Sequence, residues 1–529
     1  MLWLFCFIDR ANIGNARIAG MDDSLELRGY DYNFILSCFY IPYILLEMPA
    51  TILCKRIGPG WFIPTTALLF GICSFATAFV KTRAQMCALR FLLGVFEAGM
   101  LPGIAYYLSC WYKRAELAFR LSLYLVMSPL AGAFGGILAS GILRLGHFGS
   151  LTQWRMIFGI EGIITIALSV LSYATLTDRP ETAIWLSSEE KYLCKLRLKL
   201  EHAGQTEAIN TIDRAKLWRG VMNPITLSTA VVFLFSNITV QGLGVFLPTI
   251  ISTIYPEAST IQRQLYSVPP YIVGALFDVF VPALSWKLDR RQIFIVISTP
   301  TIIVGYILFL ASHSTTVRYV ACYLIASTAF VAGPLSSAQV SANVASDTSR
   351  TSAIATNVLF GNIGGLVSSW TYLVKDAPDY TIGNGLNLAC AFMQLVVSLG
   401  TLLWLRRDNK KREGRNVVQD LAGLDKQEIE YLDWKHPLHA LCGDNPMQLK
   451  ATTKGNGRGA TELLLAAIKG YLPIAKQLLE LGAEIDAPRA DTPGRTALEG
   501  AAEHGGLGMV QFLLENGAQT FGDGVWQYY

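Results

Sequence analysis

Charge is scarce in this sequence. Only 16% of its 529 residues are Asp, Glu, Lys or Arg, where a soluble chain carries about a quarter, so long uncharged runs must exist. The net charge of +4 is too small to point to nucleic acid, and the basic residues sit in short stretches rather than one patch. The ten cysteines are scattered singly, mostly inside apolar runs (Cys38, Cys73, Cys87, Cys322, Cys390). Without paired spacing or an adjacent His cluster they support neither a disulfide framework nor a metal site; small apolar filler is their reading. The glycine-rich stretches 131–136 and 361–365 lack an adjacent Lys-Ser/Thr, so they are not phosphate loops, and nucleotide-driven chemistry is unsupported. No catalytic constellation or cofactor is expected. No basic leader precedes the first apolar residues and no small-residue cleavage signature follows before Asp22-Asp23, which argues against a removable signal peptide. The first apolar run opens at Met1 and points to a shortened start.

Apolar runs dominate what is present. Segments of about 20 mostly apolar residues, the length that spans a bilayer, lie near 1–20, 33–53, 61–80, 86–111, 119–143, 153–176, 224–252, 266–287, 292–311, 317–341, 351–374 and 384–405. Pro42, Pro49, Pro102, Pro129, Pro269, Pro270 and Pro334 fall within them, as membrane helices tolerate. A polar stretch, 177–222, divides these spans six and six, with a charged middle (Glu189-Glu190-Lys191, Lys195, Arg197, Lys199) that reads as a helical linker. The expected fold is an all-α membrane protein: a six-helix half over 1–176, a cytoplasmic linker over 177–222 and a second half over 223–405. This duplicated plan resembles the major facilitator superfamily, whose solute site lies near mid-membrane between the halves.

Orientation follows from Lys and Arg in short loops. Lys55-Arg56, Lys113-Arg114-Arg120, Lys287, Arg290-Arg291, Arg406-Arg407 and Lys410-Lys411-Arg412 fall on one side; Asp22-Asp23-Glu26, Glu257 and Asp376-Asp379 fall on the other. Lys81, Arg83 and Arg155 run against this bias. Both termini are expected in the cytoplasm, with the plasma membrane as the expected location. Beyond 406 the composition turns soluble: a tail over 406–458, then a repeat over 459–520. Thr461-Glu462-Leu463 and Ala466-Ala467 recur as Thr496-Ala497-Leu498 and Ala501-Ala502, and Leu478-Leu479-Glu480 recurs as Leu513-Leu514-Glu515. This period of about 35 residues resembles a small α-helical ankyrin-like segment. It binds a protein partner, rests on the membrane domain, or is a neighbouring reading frame fused to it.

Charges inside the spans are the informative exceptions. Asp9 and Arg10 sit in the middle of the first run, where each costs roughly 3 kcal/mol on insertion scales and is retained only facing water or a partner. They are adjacent, diverge by about 100° around a helix, and so do not pair best with each other. Arg90 and Glu97 in the fourth span share a face two turns, or roughly 10 Å, apart, so each needs another partner. With no His in any span, proton carriage falls to carboxylates: Glu97 first, Asp9 second. Arg10 presents a fork suited to a carboxylate and is the substrate anchor. Arg90 gates access or holds Asp9, and Asn12 is counted with the substrate-binding set. In the second half Asn237, Gln241, Asn357 and Asn362 either hydrogen-bond the solute or tie helices together. Glu47 is either a packing or a coupling group, and Asp278 receives no role.

Several stretches in order then match a known pattern: Phe7-Ile8-Asp9-Arg10-Ala11-Asn12-Ile13-Gly14-Asn15, Phe39-Tyr40-Ile41-Pro42-Tyr43, Leu45-Leu46-Glu47-Met48-Pro49, and Lys55-Arg56-Ile57-Gly58-Pro59. Gly94-Val95-Phe96-Glu97-Ala98-Gly99-Met100-Leu101-Pro102-Gly103, Trp111-Tyr112-Lys113-Arg114, Asp178-Arg179-Pro180-Glu181 and Leu247-Pro248-Thr249 continue it. Over about residues 1–435 the chain resembles fungal anion:cation symporters of the major facilitator superfamily, the group related to allantoate, nicotinate and pantothenate permeases. The resemblance implies proton-coupled uptake of a small organic anion (a carboxylate, vitamin or ureide) across the lipid bilayer. In the wider family, which includes sialin-like and galactonate carriers, coupling and binding residues match Asp9, Arg10, Arg90 and Glu97. Two rivals stand beside it: a facilitator of a neutral solute, and a membrane-anchored nutrient sensor or adaptor acting through the repeat segment.

Overall fold

A computed structural model describes residues 1–112, 126–149, 151–179, 182–183, 185–191, 194, 214–288, 290–344 and 347–413. In the C-terminal region it describes 463, 466–467, 472–480, 483–485, 496–498, 501 and 507–518. The basic cluster Lys113-Arg114-Arg120, the linker residues Lys195, Arg197 and Lys199, and most of the 406–458 tail lie outside the described residues.

The first group of helices comprises α1 (Leu2–Ala16), α2 (Asp31–Ile57), α3 (Pro59–Thr77), α4 (Arg83–Glu97), α5 (Met100–Trp111), α6 (Met127–Arg144) and α7 (Trp154–Thr175). A wide turn, Arg17–Met21, and a single helical turn, Asp22–Ser24, follow α1, and a two-residue hairpin pairs His147–Phe148 with Leu151–Thr152. After the linker come α8 (Arg214–Met222), α9 (Pro224–Ile254), α10 (Thr260–Leu288), α11 (Arg291–Ala311), α12 (Thr315–Ala329), α13 (Ala332–Ala342), α14 (Asp347–Ser368) and α15 (Thr381–Glu413). Among the described residues nine helices are long and apolar enough to cross a membrane. The expected spans near 1–20, 119–143 and 351–374 correspond to α1, α6 and α14, which are not among those nine, the front of 119–143 lying outside the described residues.

Local chemistry sets several boundaries. The Thr82 hydroxyl accepts the Gln85 N–H at the start of α4 (3.3 Å), and Asn223 accepts the Ile225 N–H (2.9 Å) ahead of Pro224 at the start of α9. Both arrangements satisfy donors that a helix N-terminus leaves bare. Asp178, just after α7, accepts the Gly60 N–H at the start of α3 (3.1 Å). At the linker's start Trp185 stacks on Trp111 with rings 5.8 Å apart and 8° from parallel.

Packing is inverted relative to a soluble protein. Leu45, Leu171 and Trp286 are 69%, 59% and 77% exposed, while Asn12, Glu97, Glu161 and Thr165 are fully enclosed. Apolar surface outside and polar groups inside are what a lipid solvent selects. Within the first group α3 packs on α7, α2 on α4 and α1 on α6; within the second, α9 on α14, α11 on α12 and α15, and α10 on α12. The two groups meet chiefly through α6 with α10, α1 with α9, and α2 with α14. Gly14 makes the α1–α9 approach close, since a Cβ there would collide with the Val245 carbonyl, and Gly132 of α6 lies flat against the Tyr271 ring.

Most cross-group hydrogen bonds cluster at the end that carries the acidic loops. Asn33 donates to the Ser369 carbonyl (2.6 Å), the Trp370 indole to Ser37 (2.9 Å), and Gln264 to the Asn15 carbonyl (3.4 Å). A deeper one links Asn362 to Glu47 (2.8 Å), about 24 Å along α2 from Asp31 at 1.5 Å per residue. Two of the basic residues that defy the charge bias are held at this acidic end: Arg83 by Asp31 (2.5 Å), and Arg155 by Ser24 and the Val80 carbonyl (both 3.0 Å).

The C-terminal unit, described by itself, has α16 (Leu472–Glu480) and α17 (Leu507–Glu515). Its core comprises Leu463, Ala466, Leu478, Leu498, Ala501 and Leu513 among others, so equivalent positions of the two repeats are buried together. The same turn closes each repeat: Ala483 donates to the Leu478 carbonyl (2.9 Å) and Ala518 to that of Leu513 (3.0 Å).

Candidate functional site

Helix α1 carries two polar faces, because Asp9 and Arg10 leave it in different directions. On one face Arg10 Nε donates to Glu97 Oε2 of α4 at 2.7 Å, both side chains being buried. The guanidinium also lies against the rings of Phe7, Phe39 and Tyr43, with centroids 5.2, 5.1 and 4.6 Å away. Aromatic faces favour a cation in an otherwise apolar wall. Glu97 Oε1 has no hydrogen-bond partner, so half of this carboxylate is unsatisfied. Removing two charges from water costs several kcal/mol per ion, and one hydrogen bond offsets only part of that.

Arg10 also lines a narrow crevice with a cavity volume of about 20 Å³, room for little more than one water. Ala11 and Gly132 join it from the first group, and Gln241, Tyr271 and Phe330 from the second. Gln241 Oε1 accepts from the Tyr40 hydroxyl (3.1 Å), so the crevice floor is itself a link between the groups. Its lining combines apolar side chains with the Arg10 cation, the Gln241 amide and the Tyr271 phenol, whose hydroxyl donates to the Leu243 carbonyl (2.8 Å).

On the other face, Asp9 Oδ1 accepts from Ser74 of α3 (2.7 Å), while Oδ2 has no partner. Arg90 donates to the backbone carbonyl of Asp9 (3.4 Å) rather than to its carboxylate, and lies over Phe158 at 5.5 Å. Arg90 Nη2 is likewise unpartnered. Asn12 donates to Glu161 of α7 and does not reach the crevice lining.

Arg10 and Gln241 thus come together at the crevice with Glu97 behind Arg10. Asp9, Arg90 and Asn12 gather on the far side of α1. In the second group Asn237 donates to the Phe233 carbonyl of its own helix (3.1 Å). Asn357 is fully enclosed with neither amide atom hydrogen-bonded, and Asn362 is taken by Glu47. Asp278 is 2% exposed, with one carboxylate oxygen unpartnered. Sequence reasoning passed over Glu161, although a lone acid in the run Ile160-Glu161-Gly162 of an apolar span is the same signal that singled out Asp9.

Comparison with known proteins identifies the family. The family model described as Major Facilitator Superfamily matches residues 2–369, and one for three copies of ankyrin repeats matches 433–521. An uncharacterized transporter of Schizosaccharomyces pombe is 32% identical, over 81% of this chain and 85% of its own length. The high-affinity nicotinic acid transporter of Saccharomyces cerevisiae is 29% identical, over 78% and 76%. Among solved structures, a bacterial homolog to the human lysosomal transporter Spinster superposes with a TM-score of 0.56 at 15% identity. It covers 75% of this chain and 93% of that one, a likeness of fold alone.

Proposed function

The chain belongs to the major facilitator superfamily, a multi-pass membrane transporter of a small solute, and on that premise we propose that it couples proton entry to uptake of a small organic anion. We place it with the anion:cation symporters, at the plasma membrane with both termini inside. The rocking bodies are 1–176 and 223–405, joined by 177–222, and the solute passes unchanged. The observation that carries this reading is Arg10 at the crevice wall with Glu97 as its counter-ion.

An ionised Glu97 occupies the guanidinium and repels an incoming anion. Once Glu97 is protonated, Arg10 retains its charge, and a substrate carboxylate replaces Glu97 on the fork. Proton and anion therefore bind better together than apart, which is what symport requires. Gln241 and Tyr271 orient the anion's body. Asp9 takes a second coupling role, Arg90 steadies the backbone beside it, Asn12 serves the site through its contact with Glu161 of α7, and Asn237 and Asn357 offer amides to the solute. The repeat segment recruits a protein partner and is dispensable for transport. The test is a proteoliposome uptake screen over vitamins, ureides, amino acids and sugar acids, beginning with nicotinate, with and without an inward proton gradient. Gradient-driven accumulation of one carboxylate is the expected result; uptake of a neutral sugar indifferent to the gradient would favour the facilitator.

A further inference from the structure

Glu161 is a fully enclosed acid that the exchange at Arg10 and Glu97 does not use. One carboxylate oxygen accepts from Asn12 Nδ2 and the other, Oε1, has no hydrogen-bond partner. Asn12 Oδ1 in turn accepts from Asn15 Nδ2 (3.5 Å), one turn along α1. The Asn15 backbone carbonyl accepts from Gln264 of α10 (3.4 Å), in the other group of helices. Polar groups therefore step from Glu161 through Asn12 to the Asn15 side chain, and the Asn15 backbone carbonyl carries the contact with the second half, beside the crevice rather than through it.

The surroundings of Glu161 are otherwise spare. From α1, Asp9 is close enough to act on it electrostatically. From α4, Arg90 reaches the Phe158 ring, one turn away on α7. Helix α3 meets α7 through Gly71 and Phe75, and α6 meets this part of α1 through Gly135, all uncharged. An acid needed only to hold Asn12 would be served as well by a glutamine, at no risk of burying a charge. An acid with a free oxygen, linked to a contact that must open, is suited to report whether a proton is present.

We infer that Glu161 is a proton-carrying residue distinct from the anion site, and that Asn12 and Asn15 transmit its state to the Gln264 contact between the halves. This rests on the symport reading above. When Glu161 is charged it holds the Asn12 amide firmly. When it is protonated the grip weakens, Asn12 turns, and the α1–α10 contact loses its support.

The experiment uses the purified full chain in proteoliposomes with nicotinate, or the carboxylate ranked first by the screen. Glu161→Gln keeps an acceptor for Asn12 but cannot ionise. Gradient-driven accumulation should fall at least about tenfold relative to exchange without a gradient. Infrared difference spectra of the substrate-free protein between acid and alkaline pH should lose one carboxyl component in Glu161→Gln. Wild type and variant with the same gradient response and the same spectra would overturn the inference. A wild type that ignores the gradient would instead overturn the symport reading.

Discussion

The two halves of the bundle share a fold but divide the chemistry. The helices before the linker enclose Asp9, Arg10, Arg90, Glu97 and Glu161. Those after it enclose mainly amides and hydroxyls, such as Asn237, Thr239, Asn357, Asn387 and Gln394, with Asp278 an exception and Arg318 near one end. One half thus encloses most of the buried ionisable groups and the other mostly neutral hydrogen-bonding ones. The difference teaches where to look: on the proposed symport, anion capture and coupling meet at the Arg10–Glu97 pair beside α1, and α9 and α10 add Gln241 and Tyr271 to the crevice wall.

The sharpest way to break this comparison is to remove the cation. Arg10→Ala should lower nicotinate affinity about a hundredfold or more, because the anion loses its anchor and Glu97 is left buried without a counter-ion. Binding by the purified chain is the measurement, with thermal unfolding as the check on folding; retained affinity would contradict the anchor. Next is Glu97→Gln, which should leave anion exchange partly intact while reducing the response to a proton gradient by about tenfold or more. On the opposite half, Gln241→Ala should weaken binding only about fivefold, the worth of one neutral hydrogen bond near 1 kcal/mol, with gradient dependence unchanged. A loss as large as that of Arg10→Ala, or altered coupling, would erase the distinction between halves.

Deleting residues beyond 440 should leave uptake within about twofold of the full chain, because a terminal unit with its own core is separable from the membrane bundle. Lost transport would favour the adaptor. The smallest effect is expected at Asp379, in the loop ahead of α15. The hydrogen bond from Arg318 (2.6 Å) holds this carboxyl below its ordinary range. Its contribution to stability is therefore present at neutral pH and lost as pH falls through the lowered value. With Asp379 part-exposed, the pair is worth at most about 1 kcal/mol, so Asp379→Asn should shift unfolding slightly at pH 7 and progressively less as pH falls through the lowered value.

Much of the fold was legible because lipid imposes long uncharged runs that no soluble fold needs. The divergence of Asp9 from Arg10, and the need of Arg90 and Glu97 for other partners, followed from helix geometry. Which partners they found did not, because the Arg10–Glu97 and Asn362–Glu47 pairings join residues 87 and 315 positions apart. Arg90 went to a backbone carbonyl, which carries no sequence signal at all. Asn12 illustrates the same limit: its acceptor is an acid on α7, 149 positions away. Glu161 was readable and passed over.

The central claim is that an anion displaces Glu97 from Arg10 only when Glu97 takes up a proton. Proton uptake on adding nicotinate, or the carboxylate ranked first by the screen, to the purified chain in weakly buffered solution tests it most directly. Wild type should take up a proton as the anion binds, and Glu97→Gln should bind the anion with no accompanying uptake. Equal proton uptake by both proteins would contradict the account.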